Sequence, residues 1–381
     1  MNLLPIGLPI ASITGTIFFA FRLKIARARR CCAAILLSQV EETRALSIQS
    51  LFGYNEHSFV GVSVQSKVWF DEDHNGAVCY NERGRMWIVG GEPLGCEKDI
   101  PAITNAFIRH ARSNRKIVAF LPTTEKFARS ITERGTRIAK VGASPYFDLQ
   151  NWNPRGNSAK KLRLGVNRGR NAGISVEPVL ALTADFRDDV DRLRKEWANS
   201  RRAGVHFGWL FQIRVFQNWS SKKYFKATDK EGRLMGVLAA SPIPARDGWY
   251  LEDVLIAADA PNGTSDLMVF ETLKCLAAEG ITLATLGTVP LSRKGIDDIS
   301  SDRNVILDKI LLFSREHLNS IYNFDGLGTF KSKFVPSWWE CEYAVVSKGY
   351  FTSPRVAYAV FKLIIPGGIF KILQTLFFDV G

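Results

Sequence analysis

Cysteine and histidine are scarce in this chain of 381 residues, and the few present are poorly spaced for metal binding. Six cysteines (Cys31, Cys32, Cys79, Cys96, Cys275, Cys341) contain no C-x-x-C pair, and none stands at ligand spacing from any of the five histidines. This argues against a zinc-ribbon core and a disulfide framework, and it fits reduced thiols on the cytosolic side. Neither a metal nor a cofactor is expected. Acids are also short, 37 against 50 lysines and arginines, which leaves a net charge of +13. A surplus of that size asks for an anionic partner, either nucleic acid or an anionic membrane leaflet.

Charge is absent altogether from residues 3–21, LLPIGLPIASITGTIFFAF, and five basic residues follow directly: Arg22, Lys24, Arg27, Arg29 and Arg30. The run is long enough to cross a bilayer core of about 30 Å. The charge after it and none before it speaks against a cleaved signal peptide and places the rest of the chain in the cytoplasm. A buried core helix is the other reading. The expected order is an anchor with its basic flank over 1–30, a linker over 31–50, two units over 51–180 and 181–350, and an apolar tail over 351–381. That tail is broken by Pro366, so it is expected to lie on the membrane or to pack on the domain.

Between these ends, β-rich runs alternate with helix-like ones, and the order repeats. GVSVQSKVWF, GAVCYNERGRMWIVGG and KIVAFLPT read as strands, with a helix over 97–114 and another over 124–135 closed by Gly135. A helix from Asp185, strands over 223–243 and 248–257, a helix ending at Gly280 and a strand over 281–292 repeat that pattern. Two mixed α/β units follow from this; no repeat of residues accompanies them.

Four stretches could carry chemistry. In DEDHNGAVCYNE, Asp71, Asp73, Asn75, Gly76 and Glu82 fit positions 1, 3, 5, 6 and 12 of a calcium loop. Both flanks read as strands where an EF-hand needs helices, so a polar turn explains the same residues. Residues 158–173 read as a helix capped by Ser158 and ended by Gly173, with Leu162, Val166 and Gly169 on one face. Lys160, Lys161, Arg163, Arg168 and Arg170 line another face with no acid among them, as a solvated face or a grip on a phosphate backbone. In the third stretch, alternation along the strand places Glu252 and Asp253 on opposite faces. Asp259 and Asn262 then form a turn, Thr264 caps a helix, and Asp266 lies in its first turn. The fourth, FDGLGTFKSKFVPSWW, sets Lys331 and Lys333 among aromatics, as a snorkelling fringe or as cations of a cleft.

The basic helix, the DAPNG turn with Asp266, LGTVPLS with Ser292, and FDGLGTFKSKFVPSWW occur in the same order in the cytosolic domain of the aminoacyl-phosphatidylglycerol synthases, the phosphatidylglycerol lysyltransferase family. WFDEDHNGAVCY followed by GGEPLG resembles the start of that domain, and the resemblance covers about residues 50–347. It implies an α/β (α+β) fold of tandem acetyltransferase-like (GNAT) units, mixed sheets flanked by helices; the charge-free run over 3–21 is expected to hold them by a single short span in the inner (cytoplasmic) membrane.

It also implies an aminoacyltransferase that moves an amino acid from aminoacyl-tRNA to the hydroxyl of a phosphatidylglycerol-like lipid. Catalytic roles would fall to Asp253, Lys331 and Lys333, and substrate binding to Glu252, Asp259, Asn262, Asp266, Ser292 and Trp338. The tRNA would be held by Lys160, Lys161, Arg163, Arg168 and Arg170. One departure stands out. The strand acid is usually followed three residues later by arginine, and here that residue is Ile256. An acyl-CoA- or acyl-carrier-dependent N-acyltransferase on the same fold is the alternative, although its Arg/Gln-x-x-Gly-x-Gly/Ala loop is missing. A non-catalytic binder of tRNA or anionic lipid is the third reading.

Overall fold

In a computed structural model of the protein, the β-branched and aromatic runs form strands of a single mixed sheet. The structure describes residues 39–62, 67–131, 136–200, 209–295, 324–347 and 352–364. The run over 3–21, its basic flank, Cys31, Cys32 and residues 365–381 lie outside them. No helix among the described residues is long and apolar enough to cross a membrane.

The chain opens with helix α1 (39–52), so part of the expected linker is helical, and Ala45 and Ile48 are buried against Val62, Ala77 and Leu94. Helix α2 (Glu56–Gly61) follows. Its start is fixed by a capping box in which the Asn55 side chain accepts from the His57 and Ser58 N–H groups while Ser58 returns a bond to Asn55 N–H. Gly61, expected in a strand, belongs to this helix.

The first half of the sheet has strands β1 (Lys67–Asp71), β2 (Gly76–Arg83), β3 (Met86–Gly90) and β4 (Ile117–Thr124), with helix α3 (Ile100–Ser113) between the last two. Helix α4 (Glu125–Ser130) leads to β5 (Arg137–Asp148). The second half has β6 (Ser175–Pro178), β7 (Lys223–Thr228), β8 (Leu234–Ile243), β9 (Gly248–Ile256), β10 (Leu283–Thr285) and the two-residue β11 (Val289–Pro290). Helices α5 (Lys160–Asn171), α6 (Ala184–Ser200) and α7 (Thr264–Ala278) belong to it. Last come α8 (Phe324–Ser332), β12 (Trp338–Val346) and α9 (Thr352–Ile364).

The strand order is β1-β2-β3-β4-β12-β5-β10-β9-β8-β7-β6, with β11 on β5. Strand β12, late in the chain, therefore lies in the first half, antiparallel to β4 on one side and to β5 on the other. Strand β5 joins the halves by pairing with β10 and then with β11. Within each half two neighbours run parallel, β3 with β4 and β9 with β10.

One local expectation holds and two change. The calcium-like loop is the turn of the β1–β2 hairpin: Asp71 accepts from the Asp73 N–H at 3.1 Å and contacts His74, and Asn75 takes φ 48°. The strand over 281–292 breaks into β10 and β11. Between them Gly287 has φ 71°, and a Cβ there would fall 2.4 Å from the Tyr250 ring. The expected caps also move. Ala159 precedes α5 and Gly263, at φ 101°, precedes α7, while Thr264 Oγ1 donates to Pro261 O at 2.7 Å.

Helix α5 sits against the start of α7 because it has no side chains in the way. A Cβ on Gly165 would fall 1.8 Å from Asp266 Oδ2, and one on Gly263 would fall 2.3 Å from Gly165 O. Gly263→Ala combines this backbone clash with a left-handed φ, so it is expected to cost about 2–4 kcal/mol. Urea unfolding checks it; a loss near zero would contradict the packing.

Candidate functional site

Buried charge gathers where the two halves meet. Helix α2 brings Glu56 and His57 over the sheet, β5 brings Ser144 and Tyr146, β12 brings Glu342, and the break after β10 brings Thr288. His57 Nε2 lies 3.2 Å from Glu342 Oε1, and the Thr288 hydroxyl lies 3.0 Å from both atoms. Ser144 Oγ is 2.6 Å from Glu342 Oε1 and also bonds Glu56, whose other oxygen accepts from Tyr146 at 2.7 Å. Burial alone would neutralise His57. The hydrogen bond and charge of Glu342, with the charges of Glu56 and Glu92, hold its pKa above the ordinary value. Burial likewise opposes the Glu342 charge, but bonds from His57, Ser144 and Thr288 bring its pKa below the usual carboxylate value. Both shifts favour the charged form of each partner.

Lys331 enters the same cluster from α8. Its side chain is buried, and its ammonium donates to the Gly287 and Thr288 carbonyls at 2.8 and 2.9 Å. The break between β10 and β11 supplies those carbonyls. Burial lowers the Lys331 pKa to about 8, against the pull of Glu342 and Glu56. The fringe reading of Lys331 therefore fails. Lys333 goes elsewhere, to an ion pair with Asp266 beneath α5 and a position 5.1 Å over the Phe330 ring.

A second cluster lies on β9. A bulge between β8 and β9 pairs Ala239 with Asp253 and Ala240 with Leu251 and leaves Glu252 unpaired. The bulge resets the alternation, so Glu252 and Asp253 share the face opposite Leu251 and Val254, which pack in the apolar core. The expectation of opposite faces is corrected on this point. Glu252 pairs with Lys222 at 2.9 Å, and both side chains are nearly sealed from solvent, at 9% and 1% exposure. Asp253 Oδ2 accepts the Arg214 N–H at 3.1 Å. Burial, then the Glu252 charge, raise the Asp253 pKa to about 7 against Lys222 and Arg214. Such a carboxyl can accept or release a proton near neutrality.

Tyr250, also on β9, joins the clusters. Its phenol is raised by burial and by the charges of Glu252, Glu56, Asp253 and Glu342, so acids of both sets act on it, and its ring lies against Gly287. Ile256 packs against the apolar core. On the Asp253 face the nearby positive charge comes from Lys222 and Arg214.

At the rim, Tyr146 stacks on Trp338 with ring centroids 5.8 Å apart, and the Arg246 guanidinium lies 4.4 Å over the Tyr146 ring. Arg246 grips Glu340 with two bonds of 3.0 and 2.7 Å. The cavity behind them, lined by Glu56, Ser144, Tyr146 and Glu342, holds about 10 Å³, room for about one water. A substrate group can reach this cluster only if these side chains move.

Other expected site residues stand apart from these clusters. Asp259 and Asn262 are exposed, Asp259 with Arg233 3.9 Å away. Ser292 accepts the Lys294 N–H at 3.1 Å in a turn. Lys160, Lys161, Arg163, Arg168 and Arg170 are all exposed on α5; Arg170 pairs with Glu271, and Arg163 bonds the Gly156 carbonyl. Glu56, His57, Ser144, Tyr146, Thr288 and Glu342 were not anticipated. The Asn55–Ser58 capping box was the signal for a helix start at the first two. Glu56, His57 and Glu342 also hold ligand atoms within 4.8 Å of one another, yet Ser144, Tyr146 and Thr288 already engage the carboxylates.

Removing the Lys222 ammonium strands Glu252 and Asp253 in the interior. Lys222→Ala is expected to cost about 3–5 kcal/mol of stability. Urea unfolding measures it, with Lys126→Ala at the exposed Glu97 pair as a near-neutral control; a cost below about 1 kcal/mol would contradict the buried pair.

Comparison with known proteins agrees with this architecture. The family model described as phosphatidylglycerol lysyltransferase, C-terminal, matches residues 51–346. The phosphatidylglycerol lysyltransferase of Staphylococcus epidermidis is 21% identical over 314 residues, 82% of this chain and 36% of the relative. That of Bacillus subtilis is 22% identical over 288 residues, 75% of this chain and 33% of the relative. The chain thus spans little more than a third of such relatives. Among solved structures, L-PGS from Bacillus licheniformis superposes with a TM-score of 0.69 at 20% identity, covering 84% of this chain and 94% of that one. A C-terminal domain described as that of a lysylphosphatidylglycerol synthetase from Agrobacterium fabrum gives 0.70 at 22%, covering 87% and 98%. With the family model matched over most of its length, the chain belongs to the family of the phosphatidylglycerol lysyltransferase C-terminal domain.

Proposed function

We propose that this chain is an aminoacyltransferase, built from two acetyltransferase-like units, that moves an amino acid from aminoacyl-tRNA to the hydroxyl of a phosphatidylglycerol-like membrane lipid. The reading is supported by a near-neutral carboxyl, Asp253, on β9 and a buried ammonium, Lys331, in the junction cluster, with Tyr250 under the influence of the acids of both sets.

In this account Asp253 takes the proton of the lipid hydroxyl as its oxygen attacks the ester carbonyl carbon. The tetrahedral oxyanion is stabilised by the Lys331 ammonium, which the Gly287 and Thr288 carbonyls hold in place. The intermediate collapses with loss of the tRNA ribose oxygen, which takes a proton as it leaves. Glu252 and Trp338 remain candidates for the aminoacyl ammonium and its side chain, and Glu340, beside Trp338, joins them. The exposed cations of α5 are placed to hold the tRNA backbone by charge. Lys333 and Asp266 serve the α5–α7 contact in this reading, and Asp259, Asn262 and Ser292 have at most outer roles.

The acyl-CoA alternative is disfavoured by the start of α7. That strand–helix junction is where a pyrophosphate would sit, and here Gly165 and Gly169 of α5 cover it. The non-catalytic alternative is favoured by the missing arginine at Ile256; against it, Lys222 and Arg214 supply positive charge near Asp253.

The test is transfer of labelled amino acid from charged tRNA into phosphatidylglycerol vesicles. Activity is expected to rise as Asp253 loses its proton near pH 7 and to fall as Lys331 loses its own near pH 8. Asp253→Asn is expected to cost about 10²–10⁴ in rate and to remove the acidic limb. No transfer with any aminoacyl-tRNA, or turnover with an acyl-CoA instead, would overturn the reading.

A further inference from the structure

Away from the junction, the turn joining β2 to β3 and helix α9 enclose a groove of about 700 Å³. Arg83 ends β2, Arg85 belongs to the two-residue turn that follows, in which Gly84 takes φ 59°, and Arg355 and Lys362 come from α9. The lining has four cations and no acid. The adjacent acid, Glu82, is held by Lys67 and Lys116. None of the four cations has an ion-pair partner among the described residues; Lys362 lies 5.7 Å over the Tyr358 ring.

The shape of α9 explains why these groups face outward. Val356, Ala359 and Leu363 pack on Met86, Ile88, Ala119 and Val346, which leaves Arg355, Tyr358 and Lys362 at the surface. Tyr358 is 58% exposed, large for an aromatic side chain, and Ile117 and Met86 give the groove an apolar floor. Cations around an apolar floor, with a tyrosine at the edge, suit the level of lipid head groups. A nucleic-acid backbone asks for an open stripe of charge, as on α5. Beyond Ile364 the sequence is apolar, with Lys371 and Asp379 its only charges up to residue 381.

We propose that this groove binds the phosphate of an anionic membrane lipid and seats the first half of the sheet on the bilayer. It is a docking site separate from the reacting centre. The groove lies at the Met86 and Ile117 ends of β3 and β4, while the Glu56 cluster lies past their other ends, roughly 15–20 Å along the strands. The proposal does not depend on the transfer reaction.

Hydrogen–deuterium exchange of the full chain tests it, in nanodiscs of phosphatidylcholine alone or with about 30% phosphatidylglycerol. Amides of residues 83–86 and 352–364 are expected to exchange several-fold more slowly in the anionic discs. The difference is expected to vanish in Arg83→Glu/Arg85→Glu and in the milder Arg355→Gln/Lys362→Gln, with protection of β4 confirming that each variant is folded. Equal exchange in both discs, a difference that survives both variants, or the same slowing produced by tRNA in neutral discs would overturn it. Transfer activity with unchanged exchange would discard the groove and leave the reaction standing.

Discussion

A carboxylate in the middle of a sheet must be paired, and Glu342 sets that requirement for the junction of this fold. It is carried there by β12, which leaves the second half and enters the first between β4 and β5. An isolated ion in that position would cost several kcal/mol after relaxation. Its partners come from four separate parts of the chain: His57 from α2, Ser144 from β5, Thr288 from the break after β10, and the Lys331 charge from α8. Meeting the electrostatic demand of one residue thus ties both halves together.

The same constraint shapes the chemistry. Charges held in low dielectric act strongly on their neighbours, so small differences in pairing move pKa values far. Lys331 is drawn down to about 8 by burial, against the pull of Glu342 and Glu56, and Asp253 is drawn up to about 7 by burial and then by the Glu252 charge, against Lys222 and Arg214. Two groups that could exchange protons near neutrality result, with Tyr250 under the charges of both clusters. The outer surfaces use charge differently. On α5 and beside α9 the cations are exposed, where they attract large anions and contribute little to stability.

Much of this organisation is legible in the sequence. The alternation of strand and helix signals anticipates the mixed α/β architecture, and the strands expected on both sides of the DEDHNG loop are found, with the loop as their hairpin turn. Asp253 and Lys331 are both found buried among charges. What fails has definite causes. Alternation assigns Glu252 and Asp253 to opposite faces because a bulge leaves no mark on a period-two pattern. LATLGTVPLS reads as one strand although Gly287 interrupts it under the Tyr250 ring. Lys331 and Lys333 read alike, and only tertiary packing sends one to the junction and the other to Asp266. Glu56, His57 and Glu342 escape notice because they are far apart in sequence and meet only through the placement of β12.

The central claim is that Asp253 and Lys331 work as parts of one site. A double-mutant cycle on the rate of amino acid transfer to phosphatidylglycerol, using Asp253→Asn, Lys331→Met and the double variant, tests it most directly. Groups that act as a unit are strongly non-additive, so the double variant is predicted to be about as slow as the slower single one. Losses that multiply, or a Lys331→Met variant as active as the parent, would contradict the account.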